Sequence, residues 1–234
     1  MLVTTSNRVV KVNISDKKYW YLHNHKIFEQ LNEQQLKELS VLVGYFKYKK
    51  NENVHLFSDS VKRMYFVKEG ILKVHRKQEE GQEIIIDLIH KGDVFGEFTI
   101  SKNSDILKVG SAEALICAFT SEDFEKVMQK HPEIRLKIYK QFGDKVIEVN
   151  QKYTDIIFKD SKTRLIEFLT DFSTRHGEKR EDGTYVKNYL TQDEIAGLIG
   201  CKRQTVTHLM RELQEEGKIS YSRTMLVVFN SNSL

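Results

Sequence analysis

The chain has one proline and two cysteines in 234 residues, and no long apolar run. Each scarcity excludes something. Cys117 and Cys201 lie far apart, outside any CxxC pair, so neither a disulfide framework nor a zinc or iron–sulfur ligand set is expected. The longest apolar stretch, "IIIDLI" from Ile84 to Ile89, is broken by Asp87 and is too short to span a bilayer. The opening "MLVTTSNRVVKVN" lacks the apolar h-region of a secretory signal. A soluble protein of the reducing cytoplasm, with no membrane partner and no cofactor, is the expectation. No phosphate loop, Gly-x-Ser-x-Gly elbow or His-Glu-x-x-His occurs, which argues against an enzyme. The formal charge of +4, from 37 Lys and Arg against 33 Asp and Glu, tolerates a polyanion without requiring one.

The texture changes along the chain. From about Leu36 to Phe119, short apolar runs such as "MYFV" and "EIIIDLI" alternate with turn signals at Gly70, Gly81 and Gly92, as in an antiparallel barrel or jelly roll. Within it, "KEGILKVHRKQEEGQEIIIDLI" reads as two strands joined by a polar loop around Glu79 to Gln82. After Ser121, which is read as an imperfect cap, the pattern turns helical. The lone Pro132 sits where a first helical turn tolerates it, and a helix is expected from there to Phe158, about 40 Å long. Leu136, Tyr139, Gly143, Val146, Asn150, Tyr153 and Ile157 form one stripe of that helix, with Ile138, Phe142, Val149 and Ile156 beside it. Two stripes need two covers, so one is expected on the β domain and the other on a second copy of the chain. The alternative is a helix buried inside a monomer. Asp160 and Ser161 then restart a helix "KTRLIEFLTDF", followed by the polar loop "STRHGEKREDGTY". Four segments result: an extension of open role (1–25), a β-roll (26–131), the long helix and hinge (132–159) and a C-terminal domain (160–234).

The last segment carries the sharpest signal, "LTQDEIAGLIGCKRQTVTHLMREL". Thr191 and Glu194 make a capping box, Ile195, Leu198 and Ile199 face inward, and Ala196 lets a second helix cross closely. Gly200 supplies a corner with positive φ, and Val206, Leu209, Met210 and Leu213 form the buried stripe of the next helix. This is a helix-turn-helix pattern. On the outer face no carboxylate occurs between Cys201 and Arg211, as a surface meant for phosphates and base edges requires. Arg203 suits guanine and Gln204 adenine, Thr207 and His208 suit neighbouring edges, and Lys202 and Arg211 suit phosphates. "KISYSRTMLVVF" reads as a two-stranded wing turning at Ser222 to Thr224, with Arg223 toward the DNA backbone.

From roughly Phe28 to Phe229 the chain resembles the superfamily of the cyclic-AMP receptor protein and FNR. "YFVKEGILKVHRKQEEGQEIIIDLIHKGDVFGE", "PEIRLKIYKQFGDKVIEVNQKYTDIIFKD" and the helix-turn-helix carry the likeness. The resemblance implies an α+β fold: a cyclic-nucleotide-binding-like β jelly roll, a long dimerisation helix and a winged helix-turn-helix. It also implies a homodimer reading a near-palindrome, with half-sites about 34–36 Å apart. Where the family presents Arg, Glu and Arg to the major groove, this chain has Arg203, Gln204 and His208. In the nucleotide cassette Gly96 and Glu97 match, but the later arginine is absent; "DILKVGSAEA" offers only Lys108, a point charge without a fork. At the helix positions that meet the purine stand Val149 and Asn150. Cyclic-AMP independence is therefore expected, with the effector unknown; a non-standard phosphate site and a nucleotide-sensing adaptor acting through protein contacts are the alternatives. The family's iron–sulfur cluster needs four thiolates, which two cysteines cannot supply. His75 and His90 read as hairpin or surface histidines, and the His23-x-His25 pair lacks the Glu and His of a cupin metal site. The charged loop Thr174–Gly183 lies where relatives meet RNA polymerase, which favours activation.

Overall fold

The computed structural model describes residues 22, 23, 25–56, 61–78, 81–96, 98–101 and 104–230. Most of the 1–25 extension, Glu79 and Glu80 of the expected hairpin loop, and Glu97 lie outside them. The chain divides into two compact units, residues 1–83 with 87–144, and 84–86 with 145–234.

The first unit begins with helix α1 (Glu33–Ser40), closed by a reciprocal capping box between Asn32 and Gln35. The strand texture expected from Leu36 therefore starts later, at β1 (Gly44–Lys49), because the Asn-x-x-Gln signature before an apolar i, i+3 pair nucleates a helix first. Then follow β2 (Asn53–Val54), β3 (Arg63–Glu69), β4 (Leu72–Lys77), β5 (Glu83–Ile89), β6 (Val94–Gly96), β7 (Asp105–Val109) and β8 (Glu113–Thr120). They form two four-stranded sheets, ordered β1-β8-β3-β6 and β2-β7-β4-β5, as expected for the roll. Strands β3, β6 and β8 of the first sheet are buried on both faces along most of their length. Met64, Phe66, Cys117 and Phe119 pack on α1 and on helices α2 (Ser121–Lys130) and α3 (Pro132–Phe158), while Tyr65, Val67, Ile116 and Ala118 are buried on the opposite side. Phe28, Phe66, Phe119 and Phe124 pack ring to ring at 5.4–6.0 Å.

The cap of α2 is Thr120 rather than Ser121: its hydroxyl accepts the Asp123 N–H at 3.1 Å and donates to that carboxylate at 2.7 Å. In α3, Ile134 and Ile138 are core residues and Phe142 packs on them. Among the described residues the stripe through Leu136, Val146 and Tyr153 is uncovered, at 66%, 60% and 68% exposure, and of the adjoining stripe only Ile138 and Phe142 are covered, Val149 and Ile156 being exposed. Among the described residues that face of the helix is not buried.

The second unit holds α4 (Ser161–His176), β9 (Glu178–Lys179), β10 (Gly183–Lys187), α5 (Gln192–Ile199), α6 (Arg203–Glu215), β11 (Ile219–Tyr221) and β12 (Met225–Phe229), with an antiparallel sheet ordered β11-β12-β10-β9. Asp160 alone is the N-cap of α4, accepting from the Thr163 N–H at 2.7 Å; Ser161 is the first helical residue. The expected polar loop 173–185 is instead the last turn of α4 and a β-hairpin, since Thr184 and Tyr185 pair with Lys179 and Glu178 and the Arg180 guanidinium covers the Tyr185 ring at 4.3 Å.

Candidate nucleic-acid interface and effector position

The reader is built by local rules. The Thr191 hydroxyl accepts the Glu194 N–H at 3.2 Å while the Glu194 carboxylate accepts the Thr191 N–H at 2.8 Å, so α5 starts where the capping box requires. Gly200 ends it at φ 66°, ψ 50°, a left-handed corner, and an added Cβ would approach Ile156 Cδ1 to 3.0 Å. Ile195, Ala196, Ile199, Val206, Leu209, Met210 and Leu213 are buried between the helices. Helix α6 opens at Lys202 without a side-chain cap, so no side chain satisfies its first backbone N–H groups.

Lys202, Arg203, Gln204 and His208 are exposed along the first two turns of α6, and among the described residues their side chains have no intramolecular partner. The helix's carboxylates lie at its far end, each held by a cation. Lys162 donates to Glu212 at 2.8 Å and Glu216 at 3.0 Å, and the latter bond, with Lys218, holds the Glu216 carboxyl below the usual carboxylate range. Arg211 pairs with Glu215 at 2.9 Å, which ties it along the helix axis. Thr207 differs from the expectation for a base reader. Its hydroxyl lies 2.7 Å from Gln192 Oε1 and 3.0 Å from the Arg203 carbonyl, and so fastens α6 to the start of α5. Arg223 is exposed in the turn between β11 and β12, as the wing pattern predicts.

Sequence reading missed Arg164. Its guanidinium donates to the carbonyls of Ile199 at 2.8 Å, Gly200 at 3.2 Å and Lys159 at 2.5 Å. One fork thus satisfies the orphan carbonyls that end both α5 and α3. The only available signal was an arginine one turn into a helix that follows a hinge, which is too common to single out.

The effector position is built differently. In β7, Leu107 and Val109 are buried at 2% and 0% exposure and face the roll, so Lys108 points to the opposite face. There its ammonium meets Glu83 Oε2 at 2.5 Å and holds that carboxyl below its ordinary range. Lys108 therefore does not stand in for the missing phosphate arginine. Gly96 has an internal reason to be glycine: a Cβ would come within 2.9 Å of the Arg63 carbonyl, and its N–H is taken by Thr99 Oγ1 at 3.0 Å. Arg76 is forked onto Asp105 at 2.8 and 3.3 Å. Burial pushes the Asp105 pKa up, but the bonds from Arg76 and the Ser101 N–H outweigh it and hold it low. Toward the roll interior Tyr65 stacks on Phe95 at 5.3 Å, and burial pushes the Tyr48 phenol to about 12. Asn150 on α3 is exposed.

The histidines do not converge. His75 is buried at 8% exposure in β4, not at the surface, because β4 is buried on both faces from Leu72 to His75. His23 is exposed, whereas His25 is core, edge-on to Phe66 at 5.4 Å. Burial, with Lys68, Lys26 and Lys91 nearby, lowers His25 to about 4, and among the described residues its buried Nε2 has no partner. Burial likewise pushes the Cys117 thiol to about 12. Among the described residues no group of three or more His, Cys, Asp or Glu is placed to hold a metal ion.

A β-roll joined to a winged helix-turn-helix by a long helix defines a class, that of sensor-coupled DNA-binding proteins. Residues 45–131 match the cyclic nucleotide-binding domain family and residues 163–234 the Crp-like helix-turn-helix domain. The chain is 25% identical over 189 residues to the global nitrogen regulator of Synechocystis sp., covering 79% of this chain and 84% of that protein. It is 24% identical over 206 residues to the cAMP-activated global transcriptional regulator Vfr of Pseudomonas aeruginosa, covering 84% and 95%. Among solved structures it is similar to a CooA mutant from Carboxydothermus hydrogenoformans (TM-score 0.67, 20% identity, 93% and 94% covered). A second neighbour is the c-di-GMP responsive regulator CLP of Xanthomonas campestris (0.67, 18%, 86% and 100%). The chain belongs to the Crp/FNR superfamily of transcription regulators.

Proposed function

We propose that the protein is a homodimeric, sequence-specific transcription regulator that reads a near-palindromic DNA site with α6 and needs no cyclic AMP. One observation carries the reading: Lys202, Arg203, Gln204 and His208 are exposed without internal partners at the uncapped end of a helix whose carboxylates are all held elsewhere. Arg203 and Gln204 read base edges, His208 an adjacent edge, and Lys202, Arg211 and Arg223 track phosphates. The uncovered stripe of α3, with Leu136, Tyr139, Val146, Tyr153 and Ile157 exposed around Gly143 and Asn150, is the proposed dimer seam. Independence from cyclic AMP is supported by the engagement of Lys108 with Glu83 and by the stacked Tyr65–Phe95 pair in the roll. A small-molecule effector, of a kind left open, would shift an equilibrium between poses at the hinge of Phe158 to Asp160. The β9–β10 hairpin is the proposed contact for RNA polymerase, with activation as the mode. No helix among the described residues is long and apolar enough to cross a membrane, and the proposed compartment is the cytoplasm.

The test is selection of bound duplexes from a random DNA pool with and without cyclic AMP. The same palindrome in both arms is expected. Enrichment only with cyclic AMP would make the chain a cyclic-nucleotide-dependent regulator, and enrichment in neither, with R203A indistinguishable from the parent, would leave the adaptor reading.

A further inference from the structure

Asn188 follows β10 and is 7% exposed. Its N–H donates to the Thr224 carbonyl at 2.9 Å and its side-chain Nδ2 to the Ser222 carbonyl at 2.7 Å. The carbonyls on either side of Arg223 are thus both bound by one residue. On its other side, Asn188 Oδ1 accepts the Leu190 N–H at 3.0 Å, and Tyr221 Oη donates to the Leu190 carbonyl at 3.1 Å. Leu190 precedes Thr191, the N-cap of α5. Ser222 closes the turn on itself, its N–H donating to the Met225 carbonyl at 2.8 Å and its Oγ accepting the Met225 N–H at 3.0 Å. The wing tip is therefore a closed turn pinned to the entrance of the helix-turn-helix.

We propose that Asn188 is a positioning residue for DNA binding: it fixes the offset between the wing-tip Arg223 and the reading helix, so that both reach one DNA face together. This rests on the DNA-reading function proposed above. The site asks for a short planar group with a donor on one side and an acceptor on the other, which asparagine supplies. Aspartate would turn a carboxylate oxygen against the Ser222 carbonyl, and leucine would leave that carbonyl and the Leu190 N–H without partners. Without the latch the tip hangs on two strands, β11 of three residues and β12 of five, and Arg223 loses its fixed height over the phosphates.

The experiment is a double-mutant cycle on full-length protein, with affinity for the selected duplex measured across salt concentrations. R223A should weaken binding about tenfold and reduce the salt slope by about 0.9, one phosphate contact. N188A should weaken binding by a comparable factor, and N188A/R223A should be no weaker than R223A alone. Y221F, which removes only the Leu190 bond, should shift binding in the same direction by less and serves if N188A does not fold. Factors that multiply in the double variants (N188A or Y221F with R223A) would mean general destabilisation and overturn the proposal, as would an R223A variant that binds like the parent. Undiminished binding by R203A would instead sink the DNA-reading function, and this inference with it.

Discussion

The reader and the roll are both regions where a regulator of this family meets another molecule, and they treat their charged side chains in opposite ways. On α6 the leading cations have no internal partner and the carboxylates are neutralised at the far end. In the roll, Lys108 is held by Glu83 and Arg76 by Asp105, and the Gly96 N–H is taken by Thr99. Charges without partners remain solvated and can be transferred to phosphate with release of counterions, whereas a paired charge must first give up its bond. The likeness to a cyclic nucleotide-binding domain thus extends to the roll's architecture but not to a free cation at Lys108.

The contrast can be broken or sharpened in four ways. The largest effect is expected from V146D/Y153D, which puts carboxylates in the exposed stripe of α3. Sedimentation should report monomers, and affinity for the full palindrome should fall about 10²- to 10⁴-fold as the second half-site contact ceases to be intramolecular. A monomer with undiminished affinity would remove the dimer from the account.

The next lies under the roll. The folded pKa of His25, about 4, lies below its ordinary 6.5, so the unfolded chain takes up the proton first. Stability should be full above pH 6.5 and decline as pH falls to about 4, by up to about 3 kcal/mol. Denaturant titrations of H25F should show that much less loss over the same window. An unchanged pH profile would mean that His25 is hydrated rather than buried among its phenylalanines.

Third, R164A leaves the carbonyls of Ile199, Gly200 and Lys159 without their common donor and should cost about 2 kcal/mol, read from melting of the protein; R164K should recover little of it, since an ammonium lacks the planar fork. Full rescue by lysine would reduce Arg164 to a simple charge. The smallest effect is the most direct test of the comparison. E83Q frees Lys108 from its carboxylate, yet calorimetry should detect no gain in cyclic-AMP binding, because Lys108 projects from the face opposite Leu107 and Val109. A gain would mean that the ion pair masks a phosphate site.

Much of the reader was legible because its determinants are local. The Thr191–Glu194 box, the positive φ at Gly200 and the buried stripe of α6 each follow from residues no more than four positions from the next, and each appears as expected. The same logic is written in Asn32 to Gln35, which starts α1. What misled was side-chain direction. Whether Lys108 faces the roll or leaves it turns on the parity of one strand, since shifting the pairing by one residue would exchange Leu107 and Lys108. Thr207 looked free because Gln192 lies fifteen residues away, across the crossing of two helices.

By itself the amino-acid order determined the sheet-rich first part, the long helix from Pro132 to Phe158 and the helix-turn-helix, since caps, corners and periodicity act within a few residues of backbone. Only the tertiary structure decided which of its charged groups are engaged across different elements. Long side chains carry their charged ends well away from the backbone, and the partner that each meets, Glu83 for Lys108, Lys162 for Glu212 and Glu216, the Ile199 and Gly200 carbonyls for Arg164, is brought within reach by packing rather than by sequence neighbourhood.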